Sequence, residues 1–172
     1  MEFRIEKAEA VHAEEIAELI RTVWEAMENL EWFVPDDARF IREVLTSGRG
    51  FVLRAIDPES GRTAGIMDIL TPGLERENLG YDAGFSEEQL LKTAHVDSVA
   101  ILPEYRGRHL QALLMEAAEK ELLLAGYRYI MCTVHPDNRF SRGNMLGQGY
   151  KAVCRKEKYG GRLRDVMMKE IR

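Results

Sequence analysis

Apolar positions in the first quarter of the chain change from a strand pattern to a helix pattern. Residues 3–8 alternate between apolar and polar side chains, which indicates a short strand. Spacing typical of an amphipathic helix then follows at Ile16, Leu19, Ile20, Val23, Trp24 and Met27. Pro35-Asp36-Asp37 predicts the start of a second helix, and Ser47-Gly48 predicts its end. The chain therefore opens with one strand and two helices.

Two apolar runs predict a central hairpin. Residues 50–56 and 63–70 are apolar and partly β-branched, and the turn-forming sequence Asp57-Pro58-Glu59-Ser60-Gly61 separates them. Residues 71–92 have no periodicity and predict a loop with a short helix near residues 86–91. This loop is either functional or a surface insertion.

The second half of the chain alternates strands and helices. We predict strands at residues 95–102, 127–134, 150–158 and 163–171, and helices at 108–124 and 139–146. The expected fold is an α+β fold in a single domain, residues 1–172. The pattern predicts six or seven strands and about four helices.

Composition limits the function classes. The 172 residues are 45% hydrophobic, which suits one core, and 24 Lys and Arg stand against 29 Asp and Glu. A net charge of -5 argues against a nucleic-acid partner. The first residues lack a signal-peptide pattern, and the sequence has no apolar run long enough to span a membrane, so we expect a cytoplasmic protein. Cys132 and Cys154 lack metal-ligand spacing, so we predict buried thiols and no metal.

A basic turn between the strand at residues 95–102 and the next helix is the first candidate site. Such a turn presents unpaired backbone N–H groups and the positive end of the helix dipole, which together favour a phosphate. Arg106 and Arg108 add positive charge, and Gly107 permits close approach of the backbone. The turn is therefore a candidate pyrophosphate site, although arginines in a turn are often simply solvated.

The sequence Pro103-Glu104-Tyr105-Arg106-Gly107-Arg108 resembles the signature of the GNAT superfamily, the Gcn5-related N-acetyltransferases. His109 stands where the first signature glycine usually lies, and Gln111 replaces the second small residue. The resemblance implies acetyl-CoA as acyl donor. It implies a central mixed, mostly antiparallel twisted sheet of six or seven strands, flanked by about four helices and splayed between the fourth and fifth strands. It also implies a donor-binding set of Val99, Ala100, Ile101, Arg106, Gly107, Arg108, His109, Leu110, Gln111, Asn138 and Asn144.

The downstream part of the resemblance rests on Asn138, Ser141 and Gly149-Tyr150. In the family the equivalent Asn lies near the pantetheine arm, so Asn138 is a donor-contact candidate, with Asn144 further along the same helix. Asn138 also suits a simple helix cap. The tyrosine that protonates the thiolate in many members is replaced by Met145. Tyr150 and Tyr159 are the remaining candidates for that role, unless Tyr150 is a packing aromatic and Tyr159, beside Gly160-Gly161, a hairpin residue.

The resemblance implies direct attack of an amine on the thioester, with the backbone of Val99 to Ile101 facing the pantetheine and thioester. A base is then useful. His95 and Asp97 lie on the same side of their strand by the period-two rule and are the predicted catalytic pair, unless they are a surface-facing or capped polar pair. His135 is a further candidate.

We expect an N-acyltransferase that moves the acetyl group of acetyl-CoA to a primary amine of a small molecule or peptide. The alternative is an inactive GNAT-like domain that binds acyl-CoA as a sensor. Acidic residues that either recruit the cationic amine or form solvated faces are Asp36, Asp37, Glu75, Glu77 and Asp82. A homodimer formed through the last strand as an exposed edge is a further expectation.

Overall fold

The computed structural model describes residues 2–172. Contacts divide the chain into two compact units, and the strand at residues 93–101 contributes to both. The first unit is Met1–Leu70 with Asp97–Lys120, and the second is Thr71–Val96 with Glu121–Arg172.

Residues 2–172 form seven strands and five α-helices. The strands are β1 (Arg4–Lys7), β2 (Gly50–Ile56), β3 (Thr63–Leu70), β4 (Thr93–Ile101), β5 (Tyr129–Val134), β6 (Lys151–Lys158) and β7 (Arg162–Glu170). The α-helices are α1 (Ala13–Glu25), α2 (Ala38–Ser47), α3 (Glu87–Leu91), α4 (Leu110–Leu124) and α5 (Arg139–Gly147). Short 3-10 turns also occur, among them Leu79–Ala83 and Pro103–Tyr105.

Local sequence signals place the ends of several helices. The Asp37 side chain accepts a hydrogen bond from the Phe40 N–H at 2.9 Å and so caps α2. Gly48, with φ 73°, ends the same helix in the left-handed conformation. Ser86 and Gln89 form a capping box at the start of α3. The predicted start and end of α2 are therefore confirmed, together with the short helix in the long loop.

The strands form one mixed sheet in the order β1-β2-β3-β4-β5-β7-β6. Four of its neighbouring pairs are antiparallel, namely β1 with β2, β2 with β3, β5 with β7, and β6 with β7. The parallel register of β4 and β5 covers Thr93↔Tyr129 to His95↔Met131, whereas β4 continues to Ile101 and β5 to Val134. The predicted mixed sheet, splayed at its fourth and fifth strands, is confirmed.

The prediction that the last strand lies at an edge of the sheet is wrong. β7 lies between β5 and β6, so the last strand is internal to the sheet, and the two edge strands are β1 and β6. β6 carries Lys151, Arg155, Lys156, Glu157 and Lys158. Charged side chains on an edge strand disfavour the pairing of that strand with a strand of another chain. Strand order depends on pairings between distant segments, which a local apolar pattern does not encode.

Each unit has its own buried apolar side chains. The first unit buries Ile16, Ile20, Ile41, Ile66 and Leu114, and the second packs Leu79, Met131 and Val166 together. Cys132 is buried, and this burial raises the pKa of its thiol to about 12, whereas Cys154 is half-buried. Among the helices of the described chain, none is both long enough and apolar enough to cross a membrane.

Candidate active site

Tyr105 fixes the position of the turn that follows β4. This side chain is buried, and its hydroxyl donates a hydrogen bond to Asp57 Oδ2 at 2.9 Å. The guanidinium of Arg108 lies 5.4 Å from the centre of the Tyr105 ring, a distance typical of a cation–π contact. The backbone of the turn is thus held against the first unit while Arg106 and Arg108 remain exposed.

Two residues of the turn adopt left-handed backbone conformations. Gly107 has φ 75° and His109 has φ 59°. A Cβ placed on Gly107 would meet no protein atom within 4 Å, so the surface beside Gly107 is open. Leu110 is buried and begins the 15-residue helix α4, whose first N–H groups have no partner within the helix. The turn therefore combines open backbone, a helix N-terminus and two exposed arginines, which suits a pyrophosphate.

His109 keeps the backbone conformation that a glycine would adopt with less strain. We expect His109→Gly to raise the free energy of unfolding by about 0.5 to 1 kcal/mol, because only the side chain makes φ 59° unfavourable. Chemical denaturation measures this change. His109→Ala is the matched control, since alanine keeps the strain, and it should show no gain. Equal stability of the two variants would contradict this account of the turn.

The strand segment predicted to face the thioester lies in the first unit. Ala100 is buried, whereas Val99 and Ile101 are half-buried. Leu102, just past the strand, donates its N–H to the Ala64 carbonyl at 2.9 Å and ties this end of β4 to β3. Gln111, in the first turn of α4, is also half-buried.

Three aspartates of the first unit come together and form what we call the acidic triad: Asp36, Asp68 and Asp97. One carboxylate oxygen from each lies within 4.8 Å of the others. Asp36 precedes α2, Asp68 is on β3 and Asp97 is on β4. The buried Ser98 hydroxyl donates to Asp36 Oδ2 at 2.8 Å and fixes its orientation. Three carboxyl groups at such distances cannot all stay ionised without a cation.

The surroundings of the acidic triad raise the pKa values of its three carboxyl groups. Asp97 is exposed on one side, yet desolvation by the protein around it, with the nearby Asp36 charge, raises its pKa to about 7. Desolvation also raises the pKa of Asp36, against the hydrogen bond from Ser98. Burial raises the pKa of the fully buried Asp68 well above its ordinary value, and Asp97 and Asp36 add to the effect. Asp97 therefore has the proton affinity expected of a general base at neutral pH.

His95 has very different surroundings from Asp97. It is buried in the second unit, where its Nε2 accepts a hydrogen bond from the Leu79 N–H at 3.0 Å. Desolvation, together with the positive charge of Lys158, lowers its pKa to about 4. The imidazole is therefore neutral at physiological pH, with Nε2 engaged by the backbone. The expected cooperation of His95 with Asp97 has no counterpart in these contacts.

Asn138 and Asn144 belong to the second unit. The Asn138 side chain caps α5 by accepting a hydrogen bond from the Ser141 N–H at 3.2 Å, and Asn144 is exposed on that helix. His135 Nδ1 accepts from the Asp137 N–H at 3.1 Å within the preceding turn. The capping interpretation of Asn138 is thus confirmed, which leaves a contact with the donor as a separate prediction.

The candidates for a general acid differ in exposure. Met145 and Tyr150 are both buried, at 3% and 2% exposure. Tyr159 is exposed, and its hydroxyl lies 3.0 Å from Thr133 Oγ1. Of the two tyrosines considered from the sequence, only Tyr159 is exposed.

Sequence reasoning missed Asp68. It lies within Thr63–Leu70, a strand whose other residues are almost all apolar or small. A charged residue in a buried strand is rare unless it is paired, so this position was a usable signal. The apolar pattern does not show that β3, β4 and the loop before α2 lie close together in the folded chain.

Comparisons with known proteins agree on one family. The model of the acetyltransferase (GNAT) family matches residues 13–150. No curated protein sequence matches the chain. Similar solved structures include the ribosomal-protein-S18-alanine N-acetyltransferase of Escherichia coli, with TM-score 0.72, 15% identity and coverage of 98% of this chain and 94% of that one.

Two further structures extend this likeness. A GNAT-family acetyltransferase of Streptococcus pneumoniae has TM-score 0.73 and 19% identity, covering 99% of this chain and 100% of that one. A GNAT phosphinothricin acetyltransferase of Sinorhizobium meliloti, in complex with acetyl-CoA, has TM-score 0.72 and 16% identity, covering 99% and 89%. The TM-scores and coverages establish a shared fold, and the family model spans most of the sequence. The chain belongs to the GNAT acetyltransferase family.

Proposed function

We propose that the protein transfers the acetyl group of acetyl-CoA to a primary amine. The observation that carries this proposal is the turn between β4 and α4, where Gly107 and His109 are left-handed and the start of a long helix is open beside two exposed arginines. This arrangement suits the pyrophosphate of acetyl-CoA. Family membership and the acetyl-CoA complex of a protein with the same fold support it.

The proposed reaction needs three contributions from the chain. The turn and its arginines hold the donor, and the backbone of Val99 to Ile101 aligns the thioester. Asp97, on the same strand, removes a proton from the acceptor nitrogen. The amine then attacks the thioester carbonyl carbon, a C–N bond forms, and a backbone N–H stabilises the oxyanion. The nitrogen of this intermediate loses its second proton to water, and collapse then breaks the C–S bond, forms the neutral amide and releases the thiolate of CoA.

The thiolate does not require a dedicated acid. An ordinary thiol has a pKa near 8.5, so the leaving group can depart as the anion and take its proton from water. Met145, at the position of the tyrosine that many family members use, is buried and has no proton to give. His95 has its Nε2 engaged by Leu79, so we assign it a structural role beside Asp97.

Calorimetric titration with acetyl-CoA, followed by a thiol-release assay with a panel of primary amines, tests the proposal. We expect binding in the micromolar range and acetyl transfer to at least one amine. Binding without transfer to any amine would favour the sensor alternative. Absence of binding would contradict the assignment of the turn.

A further inference from the structure

One carboxyl group of the acidic triad has no hydrogen-bond partner. Asp68 is fully buried, and no protein group donates to either of its carboxyl oxygens. Proteins pair almost all of their buried polar atoms. An unpaired buried carboxyl group that faces two further carboxyl groups is a costly arrangement, and a bound cation would satisfy all three at once.

We propose that the acidic triad binds the ammonium group of the acceptor, and that the acceptor is a cationic primary alkylamine without a carboxylate beside its nitrogen. This inference rests on the proposed acetyl transfer and adds the class of its second substrate. It extends the role of Asp97 from proton acceptor to one of three ligands of the nitrogen, and it gives Asp36 and Asp68 a role in the reaction.

The acidic triad offers one oxygen acceptor for each N–H of a primary ammonium. Such a group has three N–H donors, and charge-assisted hydrogen bonds to carboxylates have N···O distances of about 2.8 Å, so three acceptor oxygens up to about 4.6 Å apart can share one nitrogen. The three oxygens lie within 4.8 Å of one another, and without a cation Asp36 and Asp97 hydrogen-bond each other. An ammonium would replace that hydrogen bond with three of its own. A trimethylated nitrogen has the same charge but no N–H, so it cannot make these bonds.

Charge determines which amines are rejected. An α-amino acid carries its carboxylate two bonds from the nitrogen and would bring a further negative charge close to the acidic triad. Like charges about 4 Å apart in a partly buried site repel each other strongly, so we expect discrimination of about a hundredfold or more. Amines with remote carboxylates escape this penalty.

The position of Asp97 connects the acidic triad to the chemistry. Asp97 and Val99 are two residues apart on β4, so their Cα atoms lie about 7 Å from each other along the strand. A nitrogen held by Asp97 is therefore near the segment proposed to align the thioester. Exposure of Asp97 provides access for the amine, while the buried Asp68 lies at the closed side of the site.

Matched pairs of acceptors test the inference. Butylamine with norvaline, and phenethylamine with phenylalanine, differ only by the α-carboxylate. We expect kcat/KM in the thiol-release assay to be about a hundredfold higher, or more, for the amine of each pair. Butyltrimethylammonium should not compete with butylamine. Equal kcat/KM within both pairs would overturn the inference while leaving acetyl transfer intact.

Asp68→Asn separates a binding role from a structural one. Asparagine has the same shape as the neutral carboxyl group that burial favours here, so the free energy of unfolding should not fall. The bound ammonium favours the ionised form of Asp68, and asparagine cannot ionise. KM for butylamine should therefore rise about tenfold or more, because a neutral hydrogen bond replaces a charge-assisted one, while acetyl-CoA affinity stays unchanged. Glu59→Gln, at an exposed residue of the same unit and with the same change of charge, is the control. An unchanged KM in Asp68→Asn would overturn the inference.

Direct binding tests the acidic triad even if no amine is acetylated. Butylamine added to the protein alone should shift the carboxyl ¹³C resonances of the three aspartates in the wild type and not in Asp68→Asn. Absence of shifts in the wild type would overturn the proposal. So would tight binding of Mg²⁺ or Ca²⁺ that is lost in Asp68→Asn and unaffected by butylamine, because the cluster would then be a metal site. Failure of acetyl-CoA to bind, measured separately, would count against the proposed function instead.

Discussion

Replacement of Asp97 by asparagine is expected to lower kcat for acetyl transfer by about 10² to 10⁴-fold, the usual contribution of a general base. In the wild type, kcat/KM should rise with pH and level off near pH 7, because Asp97 must lose its proton before it can accept one from the amine. In Asp97→Asn this rise of kcat/KM with pH should disappear. A pH profile of kcat/KM from the thiol-release assay measures both effects.

The controls for this prediction separate catalysis from charge. Glu59→Gln removes one exposed negative charge from the same unit and should leave kcat and the pH profile unchanged. Acetyl-CoA affinity should be the same in all three proteins. If kcat/KM of the Asp97→Asn enzyme still rises with pH and levels off near pH 7, another group is the base.

Gly107→Glu is expected to weaken acetyl-CoA binding by about a hundredfold or more. The new carboxylate would stand in the open space beside Gly107 and repel the pyrophosphate. It would also impose φ 75° on a residue with a side chain, at a cost of about 1 kcal/mol of stability. Calorimetric titration of the folded variant with acetyl-CoA measures the affinity.

Gly107→Ala separates the effect of the new charge on binding from the effect of backbone strain. Alanine meets the same strain at φ 75° and, with no protein atom within 4 Å of its Cβ, adds little bulk. The alanine variant should therefore bind acetyl-CoA far better than the glutamate variant. Equal losses in both would indicate that backbone conformation alone determines binding, and an unaffected Gly107→Glu would place the pyrophosphate elsewhere.

Local signals predicted the elements well because their causes are local. The turn-rich sequence from Asp57 to Gly61 separates two β-branched runs, and β2 and β3 have the predicted bounds. The caps at Asp37 and Ser86 act through hydrogen bonds within three residues. The predicted fold class also required the family resemblance, since strand order comes from pairings between distant segments. The predicted edge at the last strand was wrong for that reason.

The candidate site was predictable only where its residues are consecutive. The turn from Arg106 to His109 is one continuous segment, so its glycine and its charges were visible together. The acidic triad comes from the loop before α2, from β3 and from β4, and its distances exist only in the folded chain. The alternation of β4 gave the side of the strand on which His95 and Asp97 lie. It did not show that the Leu79 backbone covers His95 while Asp97 stays open.

The hydrogen bond between Leu79 and His95 makes the long loop sensitive to acid. The folded pKa of His95 is about 4, below the ordinary value of 6.5. Between these values the unfolded chain binds a proton that the folded chain does not, so stability is retained above pH 6.5 and decreases by about 3 kcal/mol as the pH falls to 4. A protonated imidazole has no lone pair at Nε2 to accept the Leu79 N–H.

Amide hydrogen exchange at Leu79 would therefore report whether the 3-10 segment Leu79–Ala83 stays attached to β4. Intrinsic exchange slows in mild acid, so a loss of protection at this one amide below pH 5 stands out against the amides of the central strands. A single buried histidine thus gives the residue 71–92 loop a lower opening free energy in acid than the sheet it covers.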